Sequence, residues 1–371
     1  MKITRLETFH VKPRWLFLKI STDAGITGWG EPIVEGRART VETAVHEMEA
    51  VLIGQNPLAI EDLWTRMYRG TFYRGGPVLT SAISGIDQAL WDIKGKHFGV
   101  PVHELLGGPT RQRVRTYAHC GGETPEEFLE RAAKLIEQGF DAFKTGLPGP
   151  IEPVPNHAYI DSVVEHVGAI RRGLPKHVDL GMDFHGKPTP AAAETIIAEL
   201  DPLRLMFIEE PIQCENVPAL ARISMKAKTP IATGERIFTR WGFREILEQR
   251  AAAILQPDIC HAGGITEVRK IAAMAEAYYA LIAPHNPLGP ISLAAGLAVA
   301  ASIPNFLIQE QVSLGEGYLK EPFVIREGHI DLPTRPGLGI EIDEDYVQAN
   351  LYDGAWDSPR WNNRDGSFTE W

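Results

Sequence analysis

Short apolar runs recur along residues 114–330, and each of the last six is closed by a polar residue. The closing residues are Asp183, Glu209, Glu235, Asp258, His285 and Glu310. By subtraction, they are separated by 26, 26, 23, 27 and 25 residues, which suits one strand, one helix and two loops per repeat. A (β/α)8 barrel carries its active site at the C-terminal ends of its strands. The pattern predicts an α/β protein with a TIM-type (β/α)7–8 barrel and a polar group at each of these strand ends.

Two further strands precede these six runs. Val114–His119 predicts the first strand of the barrel and Phe140–Lys144 the second. Between them, Thr124 is followed by a proline and two glutamates, which is typical of a capped helix start, and we expect the helix to run to Gln138. The loop 145–157 is long and rich in proline and glycine. It leaves the predicted site end of the second strand, where long loops are often functional.

The first part of the chain follows a different pattern. Ile3–Val11 and Trp15–Ser21 alternate as strands do, and after a turn Ile26–Gly30 predicts a third strand. Helical patterns follow, the clearest being Pro77–Phe98 with its apolar residues on one face. Strands followed by separate helices indicate a small α+β domain.

We therefore expect three parts. Residues 1–113 form an N-terminal α+β capping domain, residues 114–330 form the catalytic barrel, and residues 331–371 form a C-terminal segment. This segment drops the repeating pattern and holds Trp356, Trp361 and Trp371. We expect these tryptophans to pack the segment back on the capping domain.

Composition and charge narrow the class of protein. At 44% hydrophobic and 23% charged residues the chain can form a sizeable core, and a net charge of -11 without a basic run argues against nucleic acid. Three scattered cysteines fit a reducing compartment. The charged N-terminus does not resemble a signal peptide, and no stretch approaches the roughly 20 apolar residues of a membrane span. The sequence predicts a cytoplasmic protein whose partner is a small molecule, not nucleic acid or a membrane.

Three of the strand-end residues are carboxylates on consecutive strands. Asp183, Glu209 and Glu235 are hard oxygen donors, and three such charges held together repel each other unless a cation joins them. A single strand-end carboxylate is more often a helix cap or a surface ion pair. Three at even spacing favour a metal site, for which Mg²⁺ fits best and Mn²⁺ is acceptable.

The remaining strand ends suggest proton transfer. Asp258 and His285 close neighbouring strands, and a carboxylate that holds one imidazole nitrogen makes the other more basic. The pair is either a general base or a structural hydrogen bond. His185 lies two residues after Asp183, and in an extended strand such residues face the same side. Although a lone histidine is more often structural, this position predicts an acid on the wall opposite His285.

A lysine closes the second strand. The ammonium of Lys144 is suited to holding a substrate carboxylate or to lowering the pKa of a neighbouring group. The residue two positions later on the same side is Gly146. No second lysine is therefore available on that face to act as a base.

Taken together, these residues resemble the enolase superfamily, in its mandelate racemase and muconate lactonizing enzyme branch, over the whole chain. The motifs that carry the resemblance are Asp23–Glu31, Ile86–Gly95, Ile208–Pro211 and Gln256–Asp258. Within that branch the chain is most similar to the D-galactonate dehydratase family. The matching segments are Pro13–Trp15, Glu35–Val41, Phe72–Gly76, Asp183–Gly186, Gly234–Arg236, His261–Glu267 and Gln309–Gln311.

The resemblance implies roles for particular residues. The three carboxylates match the metal ligands, and His285 with Asp258 matches the base dyad. His185 matches the acid that helps the hydroxyl leave, and Glu310 matches the group that hydrogen-bonds the enolate oxygen, which it does as a donor if it is protonated.

The implied enzyme is a lyase that removes the C2 proton and the C3 hydroxyl of an aldonate to form a 2-keto-3-deoxy acid. We expect Lys144 and Arg14 to bind the acid end and the distal hydroxyls of the substrate. A homo-oligomer is the expected assembly.

One departure bears on the substrate. Galactonate dehydratases usually carry Lys-x-Asn at the end of the second strand, whereas this chain has Lys144-Thr145-Gly146. Another aldonate, such as gluconate or arabinonate, is therefore an open alternative. A racemase or epimerase would need two bases around C2, which Gly146 argues against, although His185 offers a substitute. The third alternative is a barrel that only binds a metal or a ligand.

Overall fold

The computed structural model describes all 371 residues, and its first part is the predicted α+β unit. An antiparallel sheet in the order β1-β2-β3 is followed by helices. The strands are β1 (Ile3–Val11), β2 (Trp15–Thr22) and β3 (Thr27–Gly30). The helices are α1 (Ala38–Glu47), α2 (Glu49–Leu52), α3 (Ile60–Arg69), α4 (Pro77–Phe98) and α5 (Val102–Leu105).

The second part contains eight parallel strands that close into a barrel. The strands are β4 (Arg113–His119), β5 (Ala142–Gly146), β6 (Asp179–Asp183), β7 (Ile208–Glu209), β8 (Ile231–Thr233), β9 (Ile254–Leu255), β10 (Leu281–Ile282) and β11 (Gln309–Gln311). Neighbours pair in chain order from β4 to β10, and β11 pairs with β4. A parallel bridge from Ile282 to Phe306 completes the ring.

A helix follows each of the first seven barrel strands. These helices are α6 (Pro125–Glu137), α7 (His157–Gly173), α8 (Pro190–Leu200), α9 (Val217–Lys226), α10 (Thr239–Glu248), α11 (Gly264–Ala277) and α12 (Pro290–Ser302). The chain ends with β12 (Ile325–Arg326), β13 (His329–Asp331), α13 (Glu344–Ala349), β14 (Trp361–Asn362) and β15 (Phe368–Thr369). The predicted fold class, a TIM-type (β/α)7–8 barrel with an N-terminal cap, is confirmed. No helix is both long enough and apolar enough to span a bilayer.

Local chemistry explains where the first barrel elements begin and end. The Thr124 side chain accepts the N–H of Glu127 at 3.2 Å and so caps α6, as predicted. The second strand begins at Ala142 and not at Phe140, because the Phe140 N–H bonds the Leu135 carbonyl and completes the end of α6. Gly139, with φ of 100°, makes this turn possible.

Close backbone packing joins β3 to α4 within the cap, and the residue after β3 ties the cap to the barrel. A Cβ atom on Gly30 would lie 1.9 Å from the Gly85 carbonyl oxygen, so only glycine fits there. The next residue, Glu31, is fully buried and accepts the N–H groups of Gly289 and Ser292 at 2.7 and 3.0 Å, at the start of α12. Burial raises the pKa of Glu31 to about 8, against the effect of these N–H donors. This contact holds the cap against the loop that follows β10.

Gly85→Ala should destabilise the protein, although alanine is the better helix former by about 1 kcal/mol. The new Cβ would lie 2.4 Å from the Pro32 nitrogen, and neither backbone can move freely. We expect the free energy of unfolding to fall by about 1–3 kcal/mol, as for other overpacked sites. The measurement is the thermal unfolding midpoint by circular dichroism.

Gly168→Ala in α7 is the matched control. Its Cβ would meet only the Arg172 guanidinium at 3.1 Å, the end of a flexible side chain, before contacts near 4 Å. We expect its midpoint to stay or rise. Equal midpoints for the two variants would contradict the packing explanation.

The C-terminal segment runs from the cap to the mouth of the barrel. Lys12 N–H bonds the Asn350 carbonyl and Tyr352 N–H bonds the His10 carbonyl, both at 3.0 Å. Trp356 then lies under the Arg14 guanidinium, 4.6 Å from it, on the cap.

The other two tryptophans contact residues of the barrel, whereas the prediction placed all three on the cap. Trp361 contacts Lys187 and Trp371 contacts His185. The predicted domain limits at 113 and 330 remain predictions, and each falls at a strand, since β4 begins at Arg113 and β13 spans His329–Asp331.

Candidate active site

Three carboxylates meet at the C-terminal end of the barrel. Asp183 ends β6, Glu209 ends β7 and Glu235 follows β8 by two residues. One oxygen from each lies within 4.8 Å of the others. The Glu209 side chain is fully buried, and its Oε2 has no hydrogen-bond partner. An orphaned buried carboxylate oxygen facing two further carboxylates fits the oxygen shell of a divalent cation.

The electrostatics of the cluster point the same way. Burial raises the pKa of Glu209 well above its usual value; Lys144 opposes this and the neighbouring carboxylates add to it. Burial likewise raises the pKa of Glu235 to about 7, with His285 opposing. The raised pKa values mean that these buried carboxylates bind protons tightly, because too little positive charge surrounds them to stabilise the ionised form. A bound divalent cation would supply that charge.

Only one of the two adjacent glutamates belongs to this cluster. Glu210 has a positive φ of 42°, which turns it away from the course of β7. Its carboxylate accepts Arg236 Nε at 3.0 Å and the Gly234 N–H at 3.2 Å, and it also contacts the Thr233 hydroxyl. Glu210 therefore supports the loop that carries Glu235.

His285 and Asp258 form a hydrogen-bonded pair. Asp258 Oδ2 lies 2.7 Å from His285 Nδ1, and Asp258 Oδ1 accepts the Cys260 N–H at 2.6 Å. His285 Nε2 points into the site, 3.4 Å from Glu235 Oε2 and 3.8 Å from Glu310 Oε2. Burial disfavours the charged ring, but the carboxylates of Glu235 and Glu310 raise the pKa of His285 well above its usual value.

His185 lies across the cavity, for a different reason from the one predicted. β6 ends at Asp183, and His185 has a left-handed φ of 56°, so the two residues do not share an extended strand. The turn is held by the His185 N–H, which donates to Asp183 Oδ1 at 2.7 Å. Both side chains still line the same cavity. Nδ1 of His185 contacts the main-chain oxygen of Trp371.

Lys144 is buried among carboxylates. Its Nζ lies 2.8 Å from Glu209 Oε1, 2.8 Å from Glu310 Oε1 and 3.7 Å from Asp183 Oδ2. Burial disfavours its charge, but Glu209 and Glu310 outweigh burial and raise the pKa of Lys144 well above its usual value. Its ammonium is thus already paired with protein carboxylates, and a role in binding the substrate acid stays a prediction.

Glu310 is an ionised acceptor in this arrangement. It is fully buried, and it accepts the Asn286 N–H at 2.7 Å in addition to Lys144. Burial alone would raise its pKa, but the positive charges of Lys144 and His285 hold the pKa of Glu310 well below its usual value. In this arrangement Glu310 itself therefore carries no proton that it could donate to an enolate oxygen.

His119 is a cavity residue that the sequence interpretation missed. It ends β4, its side chain is 45% exposed to the cavity, and its Nε2 contacts Glu310 Oε1. The signal that identified the other residues also applies to it, because it closes the first predicted strand. Lys144, Glu310 and His119 form one connected polar network.

The cap supplies the outer wall of the cavity. Arg14 pairs with Glu35, donates to the Pro287 carbonyl at 3.2 Å and stacks on Trp356. The cavity encloses about 550 Å³, enough for a small organic acid. Gly146 also lines it, and a Cβ there would meet only the Asp183 carbonyl oxygen, at 3.6 Å. The missing asparagine therefore leaves open space.

Comparisons with known proteins agree with this geometry. Residues 4–107 match the mandelate racemase/muconate lactonizing enzyme N-terminal domain, and residues 127–346 match the enolase C-terminal domain-like family. A D-galactonate dehydratase of Variovorax paradoxus (strain S110) is 48% identical, and one of Ralstonia pickettii (strain 12J) is 49% identical, each over the full length of both chains.

Similarity to a solved structure is equally extensive. An enolase from Agrobacterium radiobacter, crystallised with Na and L-malate bound, superposes with a TM-score of 0.94 at 30% identity and covers 100% of both chains. The family models match both parts of the chain, and the curated relatives match it end to end. The chain therefore belongs to the mandelate racemase/muconate lactonizing enzyme family of the enolase superfamily.

Proposed function

We propose that this protein is a Mg²⁺-dependent hydro-lyase that converts D-galactonate to 2-dehydro-3-deoxy-D-galactonate. The observation that carries the proposal is the geometry of one cavity. Three clustered carboxylates separate a His285–Asp258 pair from His185 on the other wall. The substrate is inferred from the relatives named D-galactonate dehydratase, which are 48% and 49% identical over their full length.

Asp183, Glu209 and Glu235 would hold the metal, with Mg²⁺ preferred and Mn²⁺ accepted. A divalent cation at this position stabilises the negative charge that develops on a substrate carboxylate after proton loss. The orphaned Glu209 Oε2 supports this assignment.

His285 acts as the base. Asp258 fixes Nδ1, so Nε2 is the nitrogen that takes the C2 proton. The proton is weakly acidic because its loss puts a second negative charge on the substrate. Glu310, Lys144 and His119 lie together beside His285, and their network supplies N–H donors to the enolate oxygen.

His185 acts as the acid. The electron pair left at C2 forms the C2–C3 double bond while the C3–O bond breaks, and His185 gives a proton to the departing hydroxyl, which leaves as water. The resulting enol gains a proton at C3, loses the proton of its C2 hydroxyl and becomes the 2-keto acid. Arg14 faces the distal part of the cavity from the cap, where it would contact the far hydroxyls.

We expect D-galactonate to have the highest kcat/KM in a panel of aldonates that differ at single carbon centres, measured by 2-keto acid release. Discrimination between epimers at C4 or C5 should be modest. Gly146 leaves space for water where an asparagine side chain would hydrogen-bond the substrate, and water rejects the wrong epimer only weakly. A Cβ at Gly146 meets only the Asp183 carbonyl oxygen, at 3.6 Å, and Gly146→Asn should narrow the tolerance for epimers.

Gly146→Ala is the matched control, since it adds bulk without a hydrogen-bonding group. If another aldonate exceeds D-galactonate by more than about tenfold, equal to roughly 1.4 kcal/mol of transition-state binding, the substrate is wrong but the reaction class stands. If no aldonate yields a 2-keto acid, the dehydratase proposal fails. A racemase gains no support, because Lys144 is held by carboxylates and Gly146 offers no base.

The enzyme would act in the cytoplasm as a homo-oligomer. Three unpaired cysteines, Cys120, Cys214 and Cys260, are in keeping with a reducing compartment. Phe72 and Tyr73 are 90% and 82% exposed between α3 and α4, which is compatible with contact to another copy.

A further inference from the structure

Each of three tryptophans in the last 16 residues lies against a nitrogen-bearing group of the cavity. Trp356 lies 4.6 Å from the Arg14 guanidinium, Trp361 lies 4.7 Å from Lys187 Nζ, and the ring of Trp371 lies 4.7 Å from the ring of His185. All three tryptophans line the cavity. Arg14 comes from the cap, whereas Lys187 and His185 come from the loop after β6, so the segment spans the mouth of the barrel.

The segment is held in this position by its own secondary structure. Trp361 pairs with Thr369 and Asn362 with Phe368 in the antiparallel pair of β14 and β15. This hairpin returns the chain across the mouth and brings Trp371 to His185. Trp371 also lines the adjoining smaller cavity, as His185 does.

The contact between Trp371 and His185 fixes one ring nitrogen. The main-chain oxygen of Trp371 accepts hydrogen bonds and cannot donate them, so Nδ1 of His185 must carry the proton of this bond. Nε2 is then the nitrogen that serves the substrate, and it can donate a proton when the ring carries both protons as an imidazolium. The arrangement matches His285, whose Nδ1 is held by Asp258. The imidazoles proposed as base and acid are thus both oriented through Nδ1, one by a side chain and the other by the C-terminal segment.

Resting on the proposed function, we propose that Trp371 is a positioning residue for the acid. Its oxygen sets the tautomer of His185 and its indole sets the ring plane, while Trp361 and Trp371 form part of the wall of the substrate cavity. Trp371 makes its hydrogen bond and its ring contact with His185 and not with His285 or Asp258, the two residues proposed as the general base. Loss of Trp371 should therefore impair the step that needs the acid and spare the step that needs the base.

The test compares Trp371→Ala and Trp371→Phe in the full-length, Mg²⁺-loaded enzyme. Trp371→Ala removes the ring that holds the segment on His185, and we expect kcat for dehydration of D-galactonate to fall about 10–100-fold, as when other orienting partners are removed. Exchange of the C2 proton in heavy water should stay within about threefold of the wild-type rate. Exchange needs the base His285, whereas departure of the hydroxyl needs the acid His185. Both variants keep the main-chain oxygen, but only Trp371→Phe also keeps an aromatic face against His185, so it should restore most of the rate.

Phe368→Ala is the matched control. This aromatic side chain lies in the same hairpin, is 65% exposed and does not line the cavity. We expect it to dehydrate at the wild-type rate. Unchanged dehydration in Trp371→Ala, or equal loss of dehydration and exchange in that variant, would overturn the proposal.

A second measurement does not depend on the substrate. Long-range ¹H–¹⁵N spectra of ¹⁵N-histidine-labelled protein, with the His185 signals assigned from His185→Asn, report which ring nitrogen carries the proton. At a pH where the ring is neutral, we expect Nδ1–H in wild type and Trp371→Phe, and a mixture of the two tautomers in Trp371→Ala. If wild type neither dehydrates nor exchanges any aldonate, the proposed function fails, and these spectra still decide the positioning role. Identical spectra for all variants would exclude it.

Discussion

His285→Asn is expected to abolish both dehydration of D-galactonate and exchange of its C2 proton with solvent. The asparagine amide can still bond Asp258, so the fold of the site is kept while the base is lost. General base catalysis contributes typically about 10²–10⁴-fold to a rate, and we expect a loss at the upper end because the C2 proton is weakly acidic. Dehydration is measured by 2-keto acid release, and exchange by proton NMR in heavy water.

His185→Asn should separate the two reactions. The acid that assists the departing hydroxyl is lost, but the base on the opposite wall remains, so dehydration should fall by about 10²–10⁴-fold while part of the exchange survives. His97→Asn, at an exposed position in α4, controls for the substitution itself. If exchange is lost in the His185 variant and kept in the His285 variant, the two roles are reversed.

Removal of divalent cations is expected to stop turnover, and added Mg²⁺ should restore it. The three carboxylates lie within 4.8 Å of one another and leave Glu209 Oε2 without a partner, so Lys144 alone does not balance their charge. Glu209→Gln removes one ligand charge and should weaken Mg²⁺ binding at least about tenfold, since removing even an outer partner of a metal site costs about 10–100-fold in affinity. The measurements are isothermal titration with Mg²⁺ and activity as a function of Mg²⁺ concentration.

Glu199→Gln, an exposed carboxylate on α8, is the control and should bind Mg²⁺ as wild type does. The metal assignment fails if protein shown to be metal-free by elemental analysis retains full activity. Unaltered Mg²⁺ affinity in Glu209→Gln would argue that Glu209 serves Lys144 and not a metal.

The barrel and most of its strand-end residues could be predicted from the sequence because both depend on short-range patterns. A run of apolar residues predicts a strand, and its closing residue lies at the C-terminal end. Parallel strands then bring those ends together whatever the details of packing. Asp183, Glu209, Glu235, Asp258, His285 and Glu310 all follow this rule. His119 follows it too and was missed although the signal was present.

Other features depended on distances that no local pattern encodes. The sequence alone determined the fold class, the order of the strands and most of the polar residues around the cavity, because each follows from periodicity along a few residues. The tertiary structure decided that Glu209 and not Glu210 faces the cluster, that Lys144 is paired with carboxylates, and that Trp371 contacts His185. Trp371 and His185 are 186 positions apart in the sequence. Such contacts arise only when packing brings remote segments together, and so they were visible only in the folded chain.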